Sequence, residues 1–188
     1  MAGFALAGDT SGQLVVNAPA VAGSNTLTLQ AATATSSVNT LATAVASTSG
    51  TSIDFTGLPS WVKKITVMLN GVSTNGSSAV RFQLGAGAAQ ATGYVSASQN
   101  GTSGIGPASA GFDISNFTTA SDVRYGYITF VNINGNNWVG TGLFTQTSLV
   151  LVMAGVVALT GTLDRVRITT VNGTDTFDAG TINILYEG

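Results

Sequence analysis

The groups in this chain that could carry acid–base or nucleophilic chemistry are few. Eight acidic residues are present, Asp9, Asp54, Asp113, Asp122, Asp164, Asp175, Asp178 and Glu187, and neither histidine nor cysteine accompanies them. Without histidine the chain lacks the usual base that titrates near neutral pH, and without cysteine it has no thiolate and no disulfide. Zinc sites built from either residue are excluded with them. Glycoside hydrolysis, which needs two carboxylates facing each other across a cleft, is the chemistry left open. The nearest carboxylates in sequence are Asp175 and Asp178, within NGTDTFD (172–178). Hard cations take carboxylate, amide and backbone oxygens, so the stretch is weighed as a weak calcium loop. Its spacing matches no recognised loop of that kind, and the expectation is a turn whose Asp and Asn side chains bond the local backbone. The chain is therefore expected not to be an enzyme and to hold no catalytic group, cofactor or metal.

Glycines and aromatics offer the remaining candidates. Gly85-Ala-Gly87 lacks the following Lys-Ser/Thr of a phosphate loop, and it, Gly101–Gly104 and Gly140–Gly142 are read as turn glycines. Trp61, Tyr94, Tyr125, Tyr127 and Trp138 have faces that suit the apolar side of a sugar ring. Trp138 follows the amide-rich turn Asn134-Gly-Asn-Asn137, so Trp138, Asn136, Asn137 and Tyr94 form the candidate contact set for a glycan or protein partner. Trp61 shares its alternation phase with Ile65, Val67 and Leu69 and is expected in the core.

The elements that must position these residues read as β-strands. From Thr51 onward short alternating runs are separated by turn signals, the pattern of an all-β sandwich or barrel. Ser52–Thr56, Trp61–Asn70, Val80–Leu84, Tyr125–Ile133, Asn137–Gln146, Ser148–Val157, Thr162–Val171 and Phe177–Tyr186 are the predicted strands. Asn70-Gly71, Asn75-Gly76, Asn134-Gly135 and Asn172-Gly173 are read as tight turns, because Asn-Gly supplies positive φ. Gly85–Ala120 is expected to hold one or two strands with long loops. The fold expected is an antiparallel, jelly-roll-like β-sandwich over residues 51–188. Ahead of it, residues 1–50 are expected to form an extended, partly β arm and a low-complexity linker used for attachment. Its β-like runs carry Leu14, Val15 and Val16 in one and Leu27 and Leu29 in the other. Residues 31–50 read as an extended linker, with a short helix over Val38, Leu41 and Val45 the less favoured alternative.

Charge sharpens this reading. Only 7% of residues are charged, against roughly 25% in an ordinary soluble domain. The net charge of −2 and six scattered basic residues exclude a nucleic-acid footprint; the Lys63-Lys64 pair is read as a solvated strand end. The apolar run LVLVMAGVVAL (149–159) falls short of the roughly 20 residues of a membrane-spanning helix, and a buried strand pair is expected there, with no membrane insertion. No basic region opens the chain, so no export is expected. The window Tyr125–Leu163 contains no charged residue. It is too long to lie wholly inside one small core, so some strands must present neutral or apolar faces to partners.

Two segments carry a resemblance. GDTSGQLVVNAPAVAGSNTLTL (8–29) resembles a segment of tailed-bacteriophage tail-fibre and other virion proteins, and GTSIDFTGLPSWVKKITVMLNGVS (50–73), with Phe55, Pro59, Trp61 and Lys64, is similar to a second phage-associated pattern at the start of a β-sandwich module. The resemblance implies a virion component, homotrimeric, assembled in the host cytoplasm with other virion proteins. A short fibre or fibre-like appendage is the expectation. A head-decoration protein and a module binding host surface glycan are the alternatives.

Overall fold

The structure, a computed structural model, describes residues 3–7, 13–17, 38–100, 103–114, 119–147 and 149–188. The chain divides into two units, Met1–Ser36 and Ser37–Gly188. In the first, β1 (Gly3–Ala7) pairs antiparallel with β2 (Gln13–Asn17), setting Leu14 opposite Leu6, Val15 opposite Ala5 and Val16 opposite Phe4. Leu27 and Leu29 lie outside the described residues.

The second unit is the expected antiparallel β-sandwich, and no helix occurs among the described residues. Its strands are β3 (Asn39–Leu41), β4 (Val45–Ala46), β5 (Ser52–Thr56), β6 (Lys64–Thr74), β7 (Val80–Ala86), β8 (Ala88–Ala89), β9 (Tyr94–Asn100), β10 (Ser103–Ala108), β11 (Phe112–Asp113), β12 (Arg124–Asn134), β13 (Asn137–Gln146), β14 (Leu149–Ala158), β15 (Arg165–Thr170) and β16 (Phe177–Glu187). One sheet has nine strands, in the order β10-β9-β14-β13-β12-β6-β16-β3 with β4 also on β16. The other has five, β11-β7-β15-β5 with β8 also on β7. This unit begins at Ser37 rather than at Thr51, because β3 and β4 hydrogen-bond along β16. Leu41 and Val45 are nonetheless exposed. Backbone pairing holds this segment together with Ala42, which packs against the core, and the buried Ser47, whose hydroxyl donates to the Ala179 carbonyl at 2.8 Å; it is extended rather than helical.

Between the sheets lies one core. Phe82 of the smaller sheet stacks on Phe144 of the larger at 5.7 Å, and Phe112 meets Phe130 edge-on at 5.1 Å. Burial of such rings is the main stabilising term here. The space for them comes from glycine. Gly140 and Gly142 sit inside β13, not in a turn, and a Cβ at Gly140 would come within 2.8 Å of both Phe112 and Phe130. Side chains Trp138 and Phe144 therefore flank a bare backbone strip on the same inner face.

Asn70-Gly71 is likewise not a turn. Gly71 lies within β6 with φ of 70°, and register shifts opposite it on both neighbours, at Gly126 of β12 and Gly180 of β16. Gly126 and Gly180 also have positive φ. The buried side of β6 switches there from Ile65, Val67 and Leu69 to Val72 and Thr74. A bulge thus crosses adjacent strands and bends the sheet. The turns at Asn134-Gly135 and Asn172-Gly173 stand as expected, with φ of 48° and 68° at their glycines.

The run 149–159 also differs from expectation. It forms a single strand, β14, with Leu151, Met153 and Val157 inward and Val150, Val152 and Val156 outward. Gly85–Ala120 is more ordered than predicted, since β8, β9, β10 and β11 all fall inside it.

Candidate functional site

Each described carboxylate already has a partner. Asp113 receives Nε and Nη2 of Arg81 at 2.7 and 2.8 Å, and Asp54 receives the same atoms of Arg167 at 2.8 and 2.9 Å. Asp164 pairs with Arg165 and accepts the Gly87 N–H, and Glu187 pairs with Lys64 at 2.7 Å. Asp122 accepts from the Thr119 N–H, Gln146 Nε2 and Thr147 Oγ1. Asp178 accepts from the Ser73 hydroxyl. Asp175 accepts Nδ2 of Asn172 at 2.6 Å and the Ser78 N–H at 2.8 Å, while Asn172 Oδ1 receives the Thr174 and Asp175 N–H groups. The local backbone bonds expected over 172–178 are thus made by Asn172 alone, whereas Asp175 and Asp178 reach across to Ser78 and Ser73. The hydrogen bond from Arg165 holds the pKa of Asp164 below the ordinary carboxylate value, and that from the Asn172 amide does so for Asp175. A general acid needs the opposite shift. No group of three or more metal-ligating side chains occurs among the described residues.

The candidate contact residues are not assembled into one exposed site. Trp138 is only 3% exposed, on the core-facing side of β13, so its ring is not presented to a sugar. Its edge, with Asn136, Ser60, Lys63 and Asn132, borders a cavity of about 240 Å³. Asn137 is exposed, and its Nδ2 is held by Asn134 Oδ1 at 2.8 Å. Tyr94 is also core: its hydroxyl accepts the Leu84 N–H at 2.9 Å and donates to the Leu84 carbonyl, and its ring meets Phe112 edge-on at 5.5 Å. Burial pushes its phenol up to about 12. Trp61 reverses the other way: it precedes β6, is 38% exposed and packs on Tyr186, while Val62 takes the buried place.

Two features escaped the sequence reading. The first is a cleft of about 540 Å³ lined in part by Ser77, Ser78, Ser96, Ser98 and Ser109 beside the Arg81–Asp113 pair. The second is Arg124, fully buried on β12. Its Nη1 reaches the Asp122 carbonyl at 3.4 Å, and its Nε and Nη2 have no hydrogen-bond partner among the described residues. Desolvation lowers its basicity, with nearby Asp122 opposing.

The largest feature is the outer face of the nine-stranded sheet. Register aligns Lys64, Val131, Val139, Val156 and Val95 in one row across β6, β12, β13, β14 and β9. A second row runs Thr66, Thr129, Thr141, Ala154, Ala97, and a third Met68, Tyr127, Leu143, Val152, Gln99. Val95 is 67% exposed, Val150 56% and Tyr125 50%. The charges on these rows stop at Lys64, which is neutralised by Glu187. The outward side chains of the uncharged window Tyr125–Leu163 form the centre of these rows.

Comparison with family models, curated proteins and solved structures yields no match for this chain.

Proposed function

We propose that the protein is a non-enzymatic structural component of a tailed-phage virion, a short trimeric fibre or fibre-like appendage. Its N-terminal arm attaches to neighbouring virion proteins and its sandwich projects outward. The observation that carries the reading is the broad, neutral, apolar face of the nine-stranded sheet, a surface suited to packing in an assembly rather than to free solution. The phage-like segments 8–29 and 50–73 support the virion setting, and carboxylates spent on ion pairs and turns support a non-catalytic role. Labelling virions with an antibody against the sandwich tests it. Sparse tail-borne signal is expected. Signal over the whole capsid would replace the fibre with a decoration role, and unlabelled virions would overturn the reading.

A glycan-binding reading is favoured by one observation, the serine-lined cleft beside Arg81 and Asp113. Hydroxyls and a fixed ion pair suit a neutral polyhydroxyl ligand. Titrating monosaccharides into labelled protein is expected, on this reading, to shift the amide signals of Ser98, Ser109 and Arg81. No shift there would remove it.

A further inference from the structure

From the outer face of the nine-stranded sheet we infer a specific occupant, another copy of this chain packed against β6, β12, β13, β14 and β9. The inference rests on the proposed structural role and names the partner of that same surface. Five strands about 4.8 Å apart, each contributing about eight residues at roughly 3.4 Å rise, make a plane of about 650 Å². That approaches the roughly 800 Å² each partner buries in a stable, specific complex.

Charge selects the partner. Ordinary protein surfaces carry many Lys, Arg, Asp and Glu side chains, and each one pressed onto these rows would lose water without gaining a counter-charge. This chain, 7% charged, is an exception, and its own outer face offers no such group between β12 and β9. A lipid surface fits poorly as well. Thr66, Thr129, Thr141 and Thr145 stand among the valines, and Thr66 and Thr129 already bond each other at 3.2 Å. Hydrocarbon leaves the remaining hydroxyls without partners, whereas an identical Thr/Val face supplies both donors and apolar surface.

The test uses the full chain and two variants. Val152→Lys places a charge within the third row, on a side chain already 47% exposed in the single copy. Val171→Lys places one at an exposed site beyond the end of β15, off this face. Sedimentation velocity is expected to show an oligomer for the unaltered chain and for Val171→Lys, and association weakened at least about thirtyfold for Val152→Lys. Circular dichroism and a cooperative melt check that the variants fold. Thr141→Cys, which adds no charge, reads the same contact independently, because the chain has no cysteine of its own. Under mild oxidation it is expected to crosslink two copies through the centre of the face. A monomeric unaltered chain overturns the inference, as does a folded Val152→Lys variant of unchanged mass or a Thr141→Cys protein that does not crosslink. None of these outcomes bears on virion membership, which the labelling experiment reads separately: an oligomer built through another face would leave the structural role standing and remove only this contact.

Discussion

Tyr94 shows how a single polar atom sets both local structure and pH response. Its hydroxyl sits among core rings and ties β9 to the backbone of Leu84 in β7, bridging the two sheets. Tyr94→Phe removes the acceptor of a buried N–H, and a loss of about 1–2 kcal/mol in urea unfolding is expected. The raised phenol also gives a sign. An acid whose folded pKa exceeds its unfolded value favours the folded state below the unfolded value, near 10, and that stability is lost as pH rises toward about 12. The unaltered protein is therefore expected to lose roughly 2 kcal/mol across that window, and Tyr94→Phe to lose less, as read by denaturation at stepped alkaline pH. Arg124 is the converse case. A buried guanidinium with two unpartnered nitrogens is costly. Arg124→Met keeps the volume and removes the charge, and should raise stability by about 1–2 kcal/mol in the same assay; a loss of that size would mean the guanidinium is well satisfied.

At the level of elements, alternation made most of the fold readable. Asn137–Gln146 and Ser52–Thr56 were predicted with the bounds observed, because one face of each is buried and the other wet. The failures have identifiable causes. Trp138 looked exposed because the inner face of β13 reads Trp138, Gly140, Gly142, Phe144, and glycine interrupts the apolar signal that marks a core strand. Trp61 looked buried because the alternation of β6 was extended past the point where the strand begins. Asn70-Gly71 supplies positive φ for a turn or for a bulge equally well, and its partners Gly126 and Gly180 are distant in sequence. The serine-lined cleft was invisible because its walls come from segments that only the fold brings together. The bulge itself is open to test. A Cβ at Gly126 would lie 2.2 Å from the Leu143 carbonyl oxygen at a φ of 133°. Gly126→Ala is expected to cost about 3 kcal/mol and to lower the melting temperature by roughly 6–12 °C. An unchanged melt would show that the sheet does not depend on that bend.

For the molecule as a whole, the scarcity of charge has a location. Four ion pairs form among the described residues, three of them on the smaller sheet and its edges, and the nine-stranded sheet turns a neutral face outward. The uncharged window was legible in the sequence as a neutral face, but the alignment of its rows was not, because register across five strands is a property of the folded sheet. Association through such a face is apolar, so sodium chloride should leave it intact and sulfate should strengthen it. The most direct test is the mass of the intact chain in solution, by light scattering over a thousandfold range of concentration at low and high salt. The account predicts an oligomer, at least twice the chain mass of 18.8 kDa, that persists at high salt. A species of 18.8 kDa at every concentration would contradict it.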